Sequence, residues 1–460
     1  MFLLSLLALF PRVLLGFFIS HWIWPSRRPS DLLIKLALAL PLGVGISSLL
    51  SFMWIWAGLD LNWYAWIETI LMISAGVFAI WRSKHEIQTI LQDSRTILRK
   101  ASLTWSLLLL LVIFLFSAFF WENSFNNPHG LWDAWSNWNV VARFVYRGGA
   151  DWQGTFLRIY GHPDYPFLLT MTNSTTWELL QKDTTRGPIM LAFTFGLSMI
   201  GLMFTLVNSI RGQKQAGLAA ILLATQPIVA YHGMALYADV PEAYYFLAAV
   251  GLGAIFLSRR ESPIALLSGI MAGMGAWTKN EGLTFIVICL MFWMGLFLFS
   301  ENKTGLKEFL FGLAFPSLVL ILFKIFLAPG NDLLTDQHDL LVKITDIQHY
   351  RMIFESGVNM FWTFGSQPVS ITTALMIYSI LVGKTKLSVK ESVMTALAVF
   401  GQALVYFLIY LTTPHDLNWH LSTSLSRLFL HLFPSALLAV ILWVKTPDEL
   451  WAEAHQIRNK

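Results

Sequence analysis

The side chains able to do chemistry in this 460-residue chain fall into five short clusters separated by long apolar runs. The first lies in 122–186. It holds Asp133, flanked by Trp132 and Trp135, and the sequence His162-Pro163-Asp164-Tyr165-Pro166. The second is Tyr237-Ala238-Asp239-Val240-Pro241-Glu242, and the third is Trp277-Thr278-Lys279-Asn280-Glu281-Gly282. The fourth is the stretch 329–355, and the fifth runs from Thr413-Pro414-His415-Asp416 through His420 to Arg427. Carboxylates in such sites accept protons from a reacting group. Arg, Lys and His hold anions or stabilise negative charge that develops during a reaction. Each charge taken singly also fits a solvated helix end. Asp133 suits an N-cap, and Asp239 with Glu242, one turn apart, complements the positive end of a helix dipole. His415, Asp416 and His420 match no compact metal-ligand spacing, so no metal is expected.

The composition says what must position these residues. Apolar residues make up 56% of the chain and charged residues only 13%, with a mean hydropathy of +0.60. A soluble domain carries about twice that charge. Apolar runs near the length needed to cross a bilayer recur throughout, with spans expected at 2–24, 32–57, 62–81, 103–121, 187–208, 216–233, 242–257, 264–277, 283–299, 309–328, 360–382, 391–413 and 426–444. The expected fold is all-α, a polytopic transmembrane helical bundle of about 11–14 spans, with interfacial helices in the first long outer loop. Three segments follow: 1–101, N-terminal membrane helices and a basic linker; 102–328, a membrane core that includes the loop 122–186; and 329–460, C-terminal membrane helices with outer loops. Residues 1–20 lack a basic start and a clear cleavage site and carry Arg12 inside the apolar run, so they read as a retained membrane segment. Cys289 is alone, which excludes an intrachain disulfide. The net charge of +4 comes from basic loops and points to no nucleic-acid partner.

Loop charges orient the bundle. One alternating set holds Arg27, Arg28, Arg82, Lys84, Arg95, Arg99, Lys100, Arg211, Lys214, Arg259 and Arg260, then Lys303, Lys307, Lys384, Lys386, Lys390, Lys445, Arg458 and Lys460. That is 19 basic residues against nine in the opposite set. The positive-inside rule makes the first set cytoplasmic. All five chemical clusters then fall on the other face. Charges at membrane depth usually line a protein interior or a wet cavity, so five clusters on one face imply a shared cavity.

The loop 122–186 is dense in aromatics and is no flexible tether. Trp135, Trp138, Ala142 and Val145 keep the spacing of an amphipathic helix, which would lie at the interface where Trp is favoured. Gly148-Gly149 ends it, Asp151-Trp152 opens the next segment, and 167–180 is helical again. Between them, the two prolines force His162–Pro166 into a rigid turn.

Trp132-Asp133-Ala134-Trp135, Trp138, Ala142, Gly148-Gly149, Asp151-Trp152 and His162-Pro163-Asp164-Tyr165-Pro166 together resemble the first outer loop of the GT-C superfamily of glycosyltransferases. The protein O-mannosyltransferase and lipid A aminoarabinose transferase group is the part of that superfamily they resemble most. Tyr237-Ala238-Asp239-Val240-Pro241 resembles the second outer acidic motif, and Thr278-Lys279-Asn280-Glu281-Gly282 the Lys/Pro-Glu-Gly motif two helices later. Arg427 with Pro434 resembles the late Arg-then-Pro pattern. The resemblance covers about residues 103–300 well and 413–440 loosely, and 1–81 has no counterpart in it. Where the family often has Asp-Glu, this chain has Asp133-Ala134, so a metal role for the pair is not carried over.

The resemblance implies transfer of a hexosyl- or pentosyl-type sugar from a polyprenyl-phosphate donor to a glycan, lipid or protein acceptor. No cofactor is implied, and membrane lipids are the surrounding partners. Asp133 would be the general base. His162, Lys279, Arg427 and His420 would meet the phosphate, Arg427 foremost because a guanidinium matches phosphate as a fork. Asp239, Glu242 and Glu281 would orient sugar hydroxyls or pair with Lys279, while Trp132 and Trp135 would stack on the sugar or anchor the interface. The setting is a bacterial-type plasma membrane with the site on its outer face. A transporter or lipid flippase is the main alternative, but no two-half repeat is visible, and Arg12 and Lys324 are among the few charges within spans. An outer-face oligosaccharide ligase or polymerase is the other, although such enzymes carry their large loop late in the chain.

Overall fold

The computed structural model describes residues 1–25, 28–82, 103–157, 161–299, 304–335, 339–365 and 370–458, with single positions at 88, 92, 95 and 96. Arg27, Lys84, Arg99, Lys100, Lys303 and Lys460 of the basic loops, and Tyr160 of the long loop, lie outside the described residues. The described chain opens with α1 (Phe2–Ile23), α2 (Pro29–Trp56), α3 (Leu61–Arg82) and α4 (Leu103–Asn126). A π-turn (Ala134–Trp138), α5 (Asn139–Gly148), a 3-10 turn (Gly149–Leu157) and α6 (Leu168–Leu180) form the long loop. Then come α7 (Arg186–Arg211), α8 (Gln213–Ala224), α9 (Pro227–Met234), α10 (Asp239–Arg259), α11 (Ser262–Thr278), α12 (Glu281–Phe299) and α13 (Leu306–Phe326). The last part holds α14 (Asp332–Thr335), α15 (Leu340–Thr345), α16 (Ile347–Thr363), α17 (Ile371–Val382), α18 (Val389–Thr412), α19 (Leu417–Trp443) and α20 (Pro447–Arg458).

Among the described residues ten helices are long and apolar enough to cross a bilayer: α1–α4, α7, α10, α12, α13, α18 and α19. Counting the bent pair α8–α9 as one span makes eleven. The chain is an all-α, multi-pass integral membrane protein. Three expected spans depart from single full-length helices. The run 216–233 breaks by 55° between α8 and α9, because Pro227 pushes Gln226 into an extended conformation (ψ 113°). The run 264–277 is α11, whose 17 residues reach about 25 Å. The run 360–382 is interrupted after α16, where Gly365 takes a positive φ of 91°.

Contacts sort the loops into two ends, as the charge alternation requires. At the basic end Arg259 pairs with Asp31 at 2.5 Å, and Trp24 donates to Glu261 at 2.8 Å. Arg211 and Lys214 reach Glu449 and Asp448 of α20, both at 2.5 Å. The five chemical clusters lie at the opposite end. Between the ends, α10 is buried along nearly its whole length and packs against α7, α11 and α19. Helices α1 and α2 touch backbone to backbone. A Cβ on Gly16 would sit 1.9 Å from the Ala39 carbonyl oxygen, and one on Gly43 1.7 Å from that of Arg12. Only glycine allows that approach, the small-residue packing usual between membrane helices.

Arg12, an oddity inside an apolar run, is fully buried and satisfied. It donates to Thr175 at 2.6 Å, Thr176 at 3.0 Å and the Ala8 carbonyl at 3.2 Å, and lies 3.6 Å from Glu68. Tyr64 donates to Glu68 in turn, at 3.2 Å. The partners Thr175 and Thr176 belong to α6, part of the long loop. Far from lying on the interface, α6 is sunk among α1, α2, α3 and α5, with Thr170, Thr172, Asn173, Ser174, Thr175 and Thr176 all buried. Its hydroxyls survive burial by donating to carbonyls one turn back, as Thr172 does to Leu168 and Ser174 to Thr170. One other loop expectation also changes. Trp135 is 46% exposed while Ala134, Trp138, Ala142 and Val145 face inward, because the wider π-turn shifts the helical phase before α5 begins. Gly149 does end α5, at a φ of 52°.

Replacing Arg12 by Met strands Glu68 in the bundle and should destabilise the detergent-solubilised protein by about 3 kcal/mol. Adding Glu68→Gln should recover most of that, as read by thermal unfolding. A second expectation concerns Glu178 of α6, which burial and the neighbouring Asp60 push up to about 7. An unfolded glutamate ionises near 4.3, so between those values the unfolded chain sheds its proton first. Stability should fall as pH rises through that window, and Glu178→Gln should remove this slope from unfolding curves measured between pH 5 and 8, bounds set roughly by those two values.

Candidate functional site

Asp239, the first residue of α10, is fully buried at the end opposite the basic loops. Its Oδ1 accepts from Lys279 Nζ at 3.0 Å and faces His431 Nε2 at 2.8 Å. Its Oδ2 accepts from Arg427 Nε at 3.0 Å, with His232 Nδ1 at 3.6 Å. Each partner arrives for a local reason. Lys279 sits in the extended link that ends α11 (φ −148°, ψ 164°), so its side chain turns back over the start of α10. Arg427 and His431 are four residues apart on α19 and so share one face. His232 stands near the end of α9, brought there by the break at Pro227.

Arg427 carries the cluster outward. Its Nη2 donates to Asp133 Oδ2 at 2.5 Å, and its guanidinium lies over the Tyr237 ring, 4.8 Å from the centroid. Asp133 makes no capping bond. The cap role that its position permits is unused, and its carboxylate instead meets a residue 294 positions away. Lys279 also pairs with Glu281 at 2.7 Å. Burial alone would lower the Lys279 ammonium, but the carboxylates of Asp239 and Glu281 outweigh it and hold it above its usual range. Asp133, Asp239, Lys279, Glu281 and Arg427, scattered over four sequence clusters, therefore form one continuous ionic chain. Glu242 lies one turn deeper on α10. It is fully buried, and neither of its oxygens has a hydrogen-bond partner among the described residues. It does not pair with Lys279, which Asp239 and Glu281 already occupy.

The remaining expected residues sit at the rim or beyond it. Trp132 and Trp135 are exposed on either side of Asp133 and meet edge to face, with centroids 4.3 Å apart. His162 is exposed. Its backbone N–H donates to Asn137 at 2.6 Å, and its ring stacks on Tyr165, which also stacks on Trp138. A small pocket opens there, lined among others by Asn137, Trp138, Thr155, His162, Tyr165 and Thr170. His420 does not join the chain of ion pairs. It bonds Thr413 at 2.8 Å and packs on Tyr410, because seven residues of helix set it about 10 Å along α19 from Arg427.

Sequence reasoning missed several members. His431 could have been found from its i+4 spacing to Arg427. His232 lay within a run read as a membrane span. Asp164 is fixed by Asn280 at 2.6 Å, Asn331 at 2.8 Å and Lys324 at 3.5 Å, which ties the His162–Pro166 turn to α13. Lys324, read as an isolated charge within a span, is thus one of the loop's anchors. Among the described residues no three His, Cys, Asp or Glu side chains are grouped so that they could hold a metal ion.

Comparisons of the chain with protein-family models, with curated proteins and with solved structures give no match. The arrangement itself offers a carboxylate at an accessible edge, a guanidinium and an ammonium behind it, and exposed indoles beside it.

Asp239→Asn should leave Lys279 and Arg427 without their shared counter-charge and cost about 3–5 kcal/mol. Asp133→Asn removes only the outer partner and should cost about 1 kcal/mol. Thermal unfolding of the purified variants in detergent would rank them, and equal losses would contradict the hub role of Asp239.

Proposed function

We propose that this chain is a glycosyltransferase of GT-C type. It moves a hexosyl or pentosyl group from a polyprenyl-phosphate donor to an acceptor hydroxyl on the non-cytoplasmic face of a bacterial-type plasma membrane. The observation that carries this reading is the single guanidinium of Arg427, held from behind by buried Asp239 and meeting the partly exposed Asp133. Transfer needs a base for the acceptor hydroxyl and cations for the phosphate that leaves, a few ångströms apart. Asp133 supplies the first and Arg427 the second, with Lys279 behind it holding the shared Asp239.

In the reaction, the acceptor oxygen attacks the anomeric carbon as its proton passes to Asp133. The bond from anomeric carbon to phosphate oxygen breaks, and its electron pair stays on the phosphate facing Arg427. Asp239 and Glu281 keep both cations in place. Trp132 and Trp135, exposed beside Asp133, offer apolar faces to a sugar ring, and His162 stands on the rim. His420 has no part. The loop charges, which favour a cytoplasmic basic end, support an outer-face position for the cluster, where lipid-linked sugars would meet glycan, lipid or protein acceptors.

One base and direct attack imply inversion at the anomeric carbon. Purified protein in nanodiscs, supplied with polyprenyl-phosphate sugars and candidate acceptors, should release polyprenyl phosphate and give the inverted product by NMR. Retention would sink direct attack. Asp133→Asn should lower turnover at least about a hundredfold with expression intact, and near-normal turnover would remove Asp133 from the base role.

A further inference from the structure

The two carboxylates that hold Arg427 are unlike. Asp239 has no exposed side-chain surface, and Lys279 and His431 grip its other oxygen at 3.0 and 2.8 Å. His431 is itself held, its Nδ1 3.3 Å from the Tyr406 hydroxyl. A carboxylate facing His431 Nε2 is best met by an N–H there, and Nδ1 is then placed to accept from Tyr406. Asp239 is therefore pinned both from α19 and from the α11–α12 link. Asp133 has none of this. Its side chain is 15% exposed, it is not engaged as a cap, and its flanking indoles face outward.

Charge count adds a second constraint. The ionic chain contains two cations, Lys279 and Arg427, and three carboxylates, Asp133, Asp239 and Glu281. The chain thus already holds one carboxylate more than it has cations, so a further anion in this poorly solvated group must compete with those carboxylates for the N–H donors. The fork of Arg427 has one fixed side, Nε on Asp239, and one side open to exchange, Nη2 on Asp133.

We infer that the Asp133–Arg427 pair is a displaceable lock, in which an incoming phosphate-ester anion takes Nη2 of Arg427 from Asp133 and so releases the Asp133 carboxylate. This rests on the reading of the Arg427 cluster as a site for a lipid phosphate, and it adds the order of events. The base is engaged by Arg427 before the phosphate binds and becomes available when the phosphate arrives. Tyr406 and His431 act as positioning residues, since they hold Asp239 and hence the fixed side of the fork.

The test is a binding measurement that needs no acceptor and no turnover. Full-length protein in phosphatidylcholine nanodiscs is titrated with farnesyl phosphate, with farnesol as the uncharged control. Asp133→Asn keeps the shape of the side chain and removes its competing charge, so farnesyl phosphate should bind about tenfold more tightly than to the wild type. Asp133→Ser, which should show the same gain, guards against a folding defect in the amide variant. Arg427→Gln should lose binding, and farnesol affinity should not change. Inorganic phosphate and nanodiscs containing phosphatidylglycerol separate the sources of the anion. A gain shared by all three phosphates supports exchange that reads the phosphate alone, and a gain confined to farnesyl phosphate supports exchange that also reads the prenyl chain. If both Asp133 variants bind farnesyl phosphate no more tightly than wild type while Arg427→Gln loses it, the lock is overturned and the phosphate site stands. If wild type and Asp133 variants alike fail to bind it, both are overturned.

Discussion

A buried anion surrounded by cations is the constraint on which this structure depends. Asp239 starts a helix that is almost wholly enclosed, where an unpaired carboxylate would be very costly. Lys279 from the α11–α12 link, Arg427 and His431 from α19 and His232 from α9 converge on it. The ends of α9 and α11 and the start of α10 are thereby held against the middle of α19, and the outermost partner, Arg427, reaches the loop through Asp133. Burial makes the hub rigid, and the decline in burial from Asp239 to Asp133 makes one edge of it exchangeable.

The same economy governs the rest of the membrane region. Polar groups inside the bundle are tied to partners that shape the fold. Arg12 joins α1 to the sunken loop helix α6, and Lys324 with Asp164 joins α13 to the His162–Pro166 turn. The long loop is consequently part of the bundle. It is fastened at α6 from within, at Asp164 from one side and at Asp133 from another, which places its exposed indoles beside the ionic chain.

Composition and loop charge alone determined the class of the protein, its helical character and the separation of its polar clusters from its basic loops, because a bilayer penalises unpaired backbone and charge so strongly that hydropathy must follow topology. Sequence also marked Asp133, Asp239, Lys279, Glu281 and Arg427, since charges beside apolar runs are conspicuous. What it could not decide was which charges meet. Asp133 and Arg427 are 294 residues apart, and only the packing of α10 against α19 brings them into contact while leaving His420 outside the ionic chain. The π-turn that exposes Trp135 and the burial of α6 were equally beyond periodicity, because both depend on neighbours from distant parts of the chain. Tertiary structure decided the pairing, and with it which carboxylate is fixed and which is free to exchange.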